Sequence, residues 1–237
     1  MGTTVQLWHA ASSSSTPGPL EKRCESVLDD AERQRAGRLR VATARNQHVV
    51  GRGMARQLLA GKAVDPRQLQ FALQPHGKPY VIRPHAACRP FNVAHTDGLV
   101  LCGLAAAEHL QLGVDIERLD RRTDPALAER YFALPEVRIL QNQTTEASRR
   151  AMFLKIWTLK ESFIKAIGTG LQTPLADFAF ERLDTDRPTI RFLNPRLHDS
   201  LGWHFYSLQP RPGFIAAAAI AIDRPKTEVA LEVRQFD

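Results

Sequence analysis

The chain has 237 residues, of which 43% are hydrophobic and 24% charged, and this ordinary globular composition excludes collagen-like, disordered and coiled-coil proteins. Its longest apolar run, Phe214 to Ile222, is far shorter than the roughly 20 residues of a membrane-spanning helix. Residues 1–112 carry 14 basic and 8 acidic side chains and residues 113–237 carry 18 and 17, so the net charge of +7 lies mainly in the first half and favours an anionic partner.

The first half of the chain predicts strands around a helical segment. The predicted strands are Thr4–His9, Leu69–Leu73, Phe91–His95 and Leu99–Ala105. A Ser-rich loop with Pro17 and Pro19 follows the first strand, and apolar residues then recur at helical spacing, so we expect one or two amphipathic helices within Asp29–Leu59. Gly and Pro residues mark a turn at Gln74–Tyr80, and Thr96-Asp97-Gly98 is typical of a hairpin.

The second half combines the same kinds of element. A strand is predicted at Leu110–Glu117, followed by helices and then by further strands. The helices are Pro125–Phe132, Glu136–Asn142 and Thr145–Gly168, and the strands are Phe178–Arg182, Thr189–Phe192, His204–Leu208 and Phe214–Ile222. Each half thus joins helices to a short antiparallel sheet, so the sequence predicts an α+β fold of two similar halves, residues 1–112 and 113–237.

Two carboxylates end the strand Leu110–Glu117. Asp115 and Glu117 lie two residues apart, and side chains at this spacing project from the same face of a strand. Because neighbouring carboxylates repel each other, such a pair is typical of a divalent cation site, and hard oxygen ligands suit Mg²⁺. The charged residues that follow, Arg118 to Arg122, fit an alternative in which the strand merely ends in a surface loop.

The second candidate is the helix that contains FLKIWTLKESFIK, residues 153–165. Glu161 and Lys165 lie one turn apart, in the order that favours an ion pair. An exposed pair would be only a surface feature, but Trp157 lies one turn before Glu161, so we expect the pair to border the buried face. A carboxylate beside a lysine suits a site that binds a metal ion and a phosphate group.

Basic side chains form the third candidate group, and all of them lie in the positive first half. They are Arg33, Arg35, Arg45, Lys78 and His95. Arginine can bind phosphate through two hydrogen bonds, and lysine acts as a point charge. Each residue alone is typical of a solvated surface, but His95 ends an apolar strand just before a turn.

Together these motifs resemble the two-part signature of the 4'-phosphopantetheinyl transferases. GVDIE at Gly113–Glu117 is followed about forty residues later by WTLKESFIK at Trp157–Lys165. Asn92–His95 is similar to the family segment usually read Asn-x-Ser-His, with Ala94 where a serine is usual, and Gly77–Pro79 and the region of Arg45 resemble coenzyme A contacts. The resemblance extends from about Asp29 to Leu171, and the length fits the monomeric, surfactin-synthetase-activating type.

The resemblance implies two similar halves with coenzyme A in the cleft between them. Asp115, Glu117 and Glu161 would hold Mg²⁺ on the pyrophosphate. Lys165 would contact the leaving phosphate and His95 the 3'-phosphate, while Ala94 implies that one hydroxyl contact to the nucleotide is lost. The implied coenzyme A contacts are Arg35, Arg45, Lys78, Pro79, His95, Thr96, Asp115 and Lys165.

The reaction implied is transfer of the 4'-phosphopantetheine group from coenzyme A to a serine of an apo acyl or peptidyl carrier protein, with release of 3',5'-ADP. Glu161, directly or through a water molecule, would take the serine proton, and Glu117 is the other candidate base. Carrier proteins are generally acidic, so a basic enzyme favours the encounter. The docking segment expected for the carrier is Leu119–Phe132, and no nucleic-acid or membrane partner is expected.

Two other classes share some of these features. A Mg²⁺-dependent nuclease also uses paired acids and a lysine, and a nucleic-acid-binding domain would account for the charge. The binding domain leaves the acids unexplained, and the nuclease leaves Gly77–Pro79 and Asn92–His95 unexplained.

The cysteines and the N-terminus bear on location. Cys24, Cys88 and Cys102 are odd in number and lack metal-ligand spacing, so we expect reduced thiols. The N-terminus lacks the basic start and apolar core of a signal peptide. A cytoplasmic location is therefore expected, and the resemblance implies a monomer.

Overall fold

The computed structural model describes residues 2–106, 109–223 and 227–237, in which helices and strands form a mixed α+β architecture and confirm the predicted fold class. The helices are α1 (Pro19–Ser26), α2 (Asp30–Arg38), α3 (Ala42–Ala60), α4 (Pro125–Tyr131), α5 (Leu134–Gln141) and α6 (Glu146–Ile167). The strands are β1 (Thr3–Ala11), β2 (Gln70–Leu73), β3 (Pro79–Arg83), β4 (Phe91–Thr96), β5 (Leu99–Ala105), β6 (Leu110–Arg118), β7 (Phe178–Glu181), β8 (Thr189–Phe192), β9 (Gly202–Leu208), β10 (Phe214–Ile222) and β11 (Val229–Gln235). Across the described ranges, no helix combines the length and apolarity needed to cross a membrane.

Tertiary contacts divide the chain into two compact units. The first runs from the N-terminus to His109 and includes Glu228–Asp237, and the second is Leu110–Thr227. The sequence-based division between residues 112 and 113 assigns the C-terminal segment to the second half, whereas β11 joins the sheet of the first unit. The expected likeness of two halves and the ligand cleft stay predictions.

The first unit is built on a four-stranded sheet with the order β11-β1-β5-β4. The expected antiparallel hairpin of β4 and β5 is present, but β1 and β11 pair in parallel, so the sheet is not purely antiparallel. Helix α3 packs on this sheet through a core that includes Met54, Val100 and Leu104. Helices α1 and α3 approach closely at Gly53, where a Cβ atom would lie 2.4 Å from Cys24 Cβ.

Three elements of the first unit, α1, β3 and β11, are missing from the sequence-based prediction. Strand β3 begins at Pro79, within the expected turn Gln74–Tyr80. Helix α1 begins at Pro19, inside the expected loop, because proline is well tolerated in the first turn of a helix. Strand β11 has mostly exposed side chains and hence no apolar alternation, and backbone pairing with β1 holds it. The helical segment expected within Asp29–Leu59 is two helices, and α2 begins where Asp29 Oδ1 accepts from the Glu32 backbone N–H at 2.8 Å.

The second unit packs α6 against the antiparallel sheet β6-β10-β9. Leu159 and Phe163 of α6 share a core with Ala217 and Ala219 of β10, and these small side chains let the helix lie close to the sheet. The elements predicted for residues 110–222 are present, with bounds that differ by no more than two residues.

Candidate functional site

The two strand-end carboxylates lie on the face of β6 that meets α6. The cross-strand partners of Asp115 and Glu117 on β10 belong to the core packed against that helix. Strand and helix approach most closely at Gly113, where a Cβ atom would lie 2.0 Å from the Ser162 carbonyl oxygen. Gly113, the glycine of the GVDIE motif, therefore permits the close packing that brings Asp115 beside Lys165 of α6.

Asp115 is almost fully buried, with 6% of its surface exposed. Lys165 Nζ donates to Asp115 Oδ1 at 2.6 Å, whereas Asp115 Oδ2 is buried without a hydrogen-bond partner among the described residues. Burial raises the pKa of Asp115, against the opposing attraction of Lys165. Burial alone would lower the pKa of Lys165, but the nearby carboxylates together raise it. The protonated Lys165 thus lies beside a carboxylate, that of Asp115, in which one of the two oxygens has no hydrogen-bond donor.

Glu117 is paired with an arginine that the sequence analysis gave no role. Arg121, in the turn after β6, donates through Nη1 to Glu117 Oε1. The Glu117 side chain is 12% exposed and the Arg121 side chain 46% exposed. The Arg121 guanidinium carbon also lies 5.9 Å from the centre of the Trp157 ring. Arg121 is therefore a second, more exposed cation beside these acids.

Glu161 is the third acid and comes from α6. It is half-buried, and burial raises its pKa, with a further increase from the charge of Asp115. The charges of Lys165 and Arg121 act in the opposite direction. The structure thus brings the two sequence motifs together as an acid cluster, which we define as Asp115, Glu117 and Glu161.

The acid cluster has the ligand chemistry for magnesium but is not assembled as a metal cage. Within residues 2–106, 109–223 and 227–237, no three carboxylate, imidazole or thiol groups are arranged to hold a metal ion. Ion pairs with Lys165 and Arg121 engage two of the acids instead. The donor set nevertheless fits, because Mg²⁺ prefers oxygen ligands and Asp115 Oδ2 is a buried acceptor in need of a partner. The magnesium site stays a prediction.

A second acid–base pair, which joins α6 to α5, was missed by the sequence analysis. Lys160 is completely buried, and its Nζ lies 2.8 Å from Glu136 Oε2 and donates to two backbone carbonyls at 2.7 Å. Glu136 in turn accepts from two backbone N–H groups, at 2.9 and 3.1 Å. The position of Lys160, four residues after Ile156 and three before Phe163 on the apolar face, is the signal that could have predicted its burial.

Three of the predicted basic residues lie on helices of the first unit. Arg33 and Arg35 are exposed on α2. Glu32 of the same helix accepts hydrogen bonds from Arg52 and Arg56 of α3, each with an N–O distance of 2.6 Å. Arg45 of α3 is half-buried, and its Nη2 lies 2.6 Å from Glu25 Oε1 of α1. Arg45 is therefore already engaged in an ion pair in this structure.

The remaining predicted contacts of the first unit lie on its strands. Lys78 is half-buried just before Pro79, the first residue of β3, and burial lowers the pKa of Lys78 to about 8. His95 is exposed near the end of β4, beside the half-buried Thr96. Ala94 is buried, so its Cβ lies on the opposite face of the strand from His95. The roles assigned to these residues stay predictions.

A cavity of about 720 Å³ lies among α4, α5 and the first turns of α6. Its lining includes the apolar residues Val137, Leu140 and Phe153 and the basic residues Arg122, Arg149 and Arg150. It borders part of the segment Leu119–Phe132, for which carrier docking was predicted.

Comparison with known proteins defines the class. The model of the 4'-phosphopantetheinyl transferase superfamily matches residues 111–222, which include the whole acid cluster. The 4'-phosphopantetheinyl transferase HetI of Nostoc is 29% identical over 199 residues, which are 83% of this chain and 79% of that protein. A 4'-phosphopantetheinyl transferase of Bacillus subtilis is 29% identical over 172 residues, 72% of this chain and 73% of that protein. The gsp transferase of Aneurinibacillus migulanus is 36% identical over 116 residues, 48% and 45% of the two chains.

The chain is thus similar to 4'-phosphopantetheinyl transferases over most of its length, and residues 111–222 match the model of that superfamily. The family and the enzyme class predicted from the sequence are thereby confirmed. The three relatives are transferases, and nothing in them supports the nuclease alternative.

Proposed function

We propose that the protein transfers the 4'-phosphopantetheine group of coenzyme A to a serine hydroxyl of an apo carrier protein and releases 3',5'-ADP. The observation that carries this proposal is the buried, unpartnered Asp115 Oδ2 beside Lys165, at the motif that aligns with the family. A buried acceptor without a donor costs free energy until a ligand satisfies it. A phosphate-bound cation is a ligand of the right charge.

The acid cluster would hold Mg²⁺, which when bound would neutralise charge on the pyrophosphate. Glu161 accepts the proton of the attacking serine, directly or through a water molecule, and its raised pKa brings its basicity closer to neutral pH. Lys165 is protonated and stabilises the phosphate that leaves. Glu117 is the other candidate base.

The first unit supplies contacts to the nucleotide end of coenzyme A. The residues proposed for this role are Arg35, Arg45, Lys78, Pro79, His95 and Thr96. His95→Ala should raise the KM for coenzyme A and narrow the preference for coenzyme A over dephospho-coenzyme A. Equal losses on both substrates would refute the contact between His95 and the 3'-phosphate.

Acidic carrier proteins are the proposed partners, and the segment Leu119–Phe132 is the proposed docking surface. The segment itself has no net charge, because three arginines balance three acidic residues, but the cavity beside it is lined by three arginines and two glutamates, and this excess of positive charge suits an acidic partner. The surfactin-synthetase-activating subtype, the monomeric state and the cytoplasmic location are part of the same proposal.

The test is to incubate the protein with coenzyme A, Mg²⁺ and a panel of apo carrier proteins, and to measure the carriers by mass spectrometry. We expect one carrier to gain the mass of one phosphopantetheine group. A carrier whose acceptor serine is replaced by alanine should gain none, and Asp115→Ala should abolish transfer by a protein that is still folded. No mass gain on fatty-acid, polyketide and peptide carriers would overturn the proposal.

A further inference from the structure

Two basic side chains, which differ in exposure, lie beside the acid cluster. Lys165 lies in the last turn of α6, and its side chain is 30% exposed. Arg121 lies in a turn after β6, and its side chain is 46% exposed. Arg121 therefore has more room to change its side-chain rotamer than Lys165, whose Nζ is bonded to the buried Asp115.

The charges of this region favour exchange of one cation for another. Three carboxylates and two basic side chains leave a net charge of −1 in the cluster. If a divalent cation enters and Arg121 stays, the charge becomes +1, whereas departure of Arg121 leaves it at zero. A guanidinium and a metal ion also compete for the same oxygens, because Arg121 engages Oε1 of Glu117.

The Trp157 ring is a second site that the Arg121 guanidinium can contact. The guanidinium is already 5.9 Å from the ring centre, near the outer limit of a cation–π contact. A small rotation can keep the guanidinium on this ring while it leaves Glu117.

We propose that Arg121 is a resident counter-ion of the acid cluster, which a divalent cation displaces from Glu117, so that Arg121 sets the metal affinity of the free protein. Arg121 is thus a positioning residue for Glu117 that opposes metal entry. The inference depends on the metal assignment within the proposed function.

The test measures binding of Mn²⁺ by calorimetry and electron paramagnetic resonance, with neither coenzyme A nor carrier present. Arg121→Gln should bind Mn²⁺ about tenfold more tightly than the unmodified protein, because a positive charge within a few ångströms of the ion is removed. Arg118→Gln is the matched control: it removes one charge from the same turn, but Arg118 lies on the opposite face of β6 and pairs with Asp120. The affinity of Arg118→Gln for Mn²⁺ should change by less than about twofold, because solvent and salt screen the exposed charge that this variant removes.

Arg121→Lys keeps the charge and should bind Mn²⁺ within about threefold of the unmodified protein, since the ammonium can still pair with Glu117. Equal affinities of Arg121→Gln and Arg118→Gln would overturn the inference, as would weaker binding by Arg121→Gln or an absence of binding by all variants. Carrier modification is scored separately. A protein that shows the Mn²⁺ effect but modifies no carrier refutes the proposed function alone, and the reverse result refutes the role of Arg121 alone.

Discussion

Lys160 and Lys165 lie five residues apart on α6, and each is paired with a buried carboxylate, but the two pairs differ in how completely they are satisfied. Lys160 and Glu136 share four further hydrogen bonds with the backbone, and we call them the closed pair. Lys165 and Asp115 share one bond, and Oδ2 of Asp115 has no partner in the described part of the chain; we call them the open pair.

The difference teaches how to separate a structural ion pair from a functional one. A closed pair has no free acceptor to offer a ligand, so its contribution is to hold α5, α6 and the start of β7 together. The open pair retains an acceptor whose desolvation is uncompensated in the free protein. The charges are the same in the two pairs, but the side chains of Lys160 and Glu136 are fully buried, whereas that of Lys165 is 30% exposed. Exposure of the lysine and the number of hydrogen bonds together distinguish the open pair from the closed one.

The largest effect expected is on stability, from Lys160→Met. The change leaves Glu136 buried without its cation, and breaking a buried pair in this way costs about 3–5 kcal/mol. Urea unfolding should show this loss. The variant that also carries Glu136→Leu should recover much of it, because two apolar side chains can replace a buried ion pair. Lys165→Met should cost less, since Arg121 lies near Asp115. Equal losses at both lysines would remove the distinction between the pairs.

The next effect is on turnover and tests the open pair. Glu161→Gln keeps the size of the side chain but loses a proton acceptor, so turnover should fall by at least the roughly 10²-fold typical of a lost general base. Lys165→Met should lower kcat more than it raises the KM for coenzyme A. Because both groups act on one transition state, the double variant should be less impaired than the product of the single effects predicts. Unchanged rates with a small stability loss would leave Glu161 and Lys165 without a catalytic role.

Gly113→Ala should affect stability and transfer together. The new Cβ atom would meet the backbone of α6 at Ser162, and forcing strand and helix apart costs about 1–3 kcal/mol. The shift should separate Asp115 from Lys165 while the closed pair stays intact. Gly37→Ala is the control, because no heavy atom lies within 4 Å of a Cβ atom there. Thermal midpoints and carrier modification should fall for the first variant, and a midpoint as high as that of the control would contradict the close approach.

The smallest effect is expected from exchanging lysine for arginine in each pair. At position 165 the charge is kept and space is available, so turnover should fall by no more than about tenfold. At position 160 a bulkier group enters a saturated pocket, and we expect a loss of about 1–3 kcal/mol in the free energy of unfolding. Kinetics of the Lys165→Arg variant and urea unfolding of both variants compare the two positions. A larger loss of stability in Lys165→Arg than in Lys160→Arg would contradict the distinction between the open pair and the closed pair.

Several features of the site could be predicted from short stretches of sequence. The period-two spacing of Asp115 and Glu117 and the period-four spacing of Glu161 and Lys165 place each pair on one face of its element, whatever the rest of the fold. Two of the missed elements, α1 and β11, were missed for opposite reasons. α1 begins in a segment whose composition is typical of a loop, and β11 depends on pairing with a strand more than 200 residues away.

The sequence by itself determined the elements of the second unit, the two motifs and, through them, the family, because these depend on local periodicity and on residue types at fixed spacing. The tertiary structure alone decided that Lys160 is saturated while Lys165 leaves an oxygen of Asp115 unpartnered. It also decided that Arg121 pairs with Glu117. Hydrogen-bond saturation is set by backbone groups and side chains distant along the chain, such as Glu136 and the carbonyl of Phe178, and no local pattern encodes where those atoms come to lie.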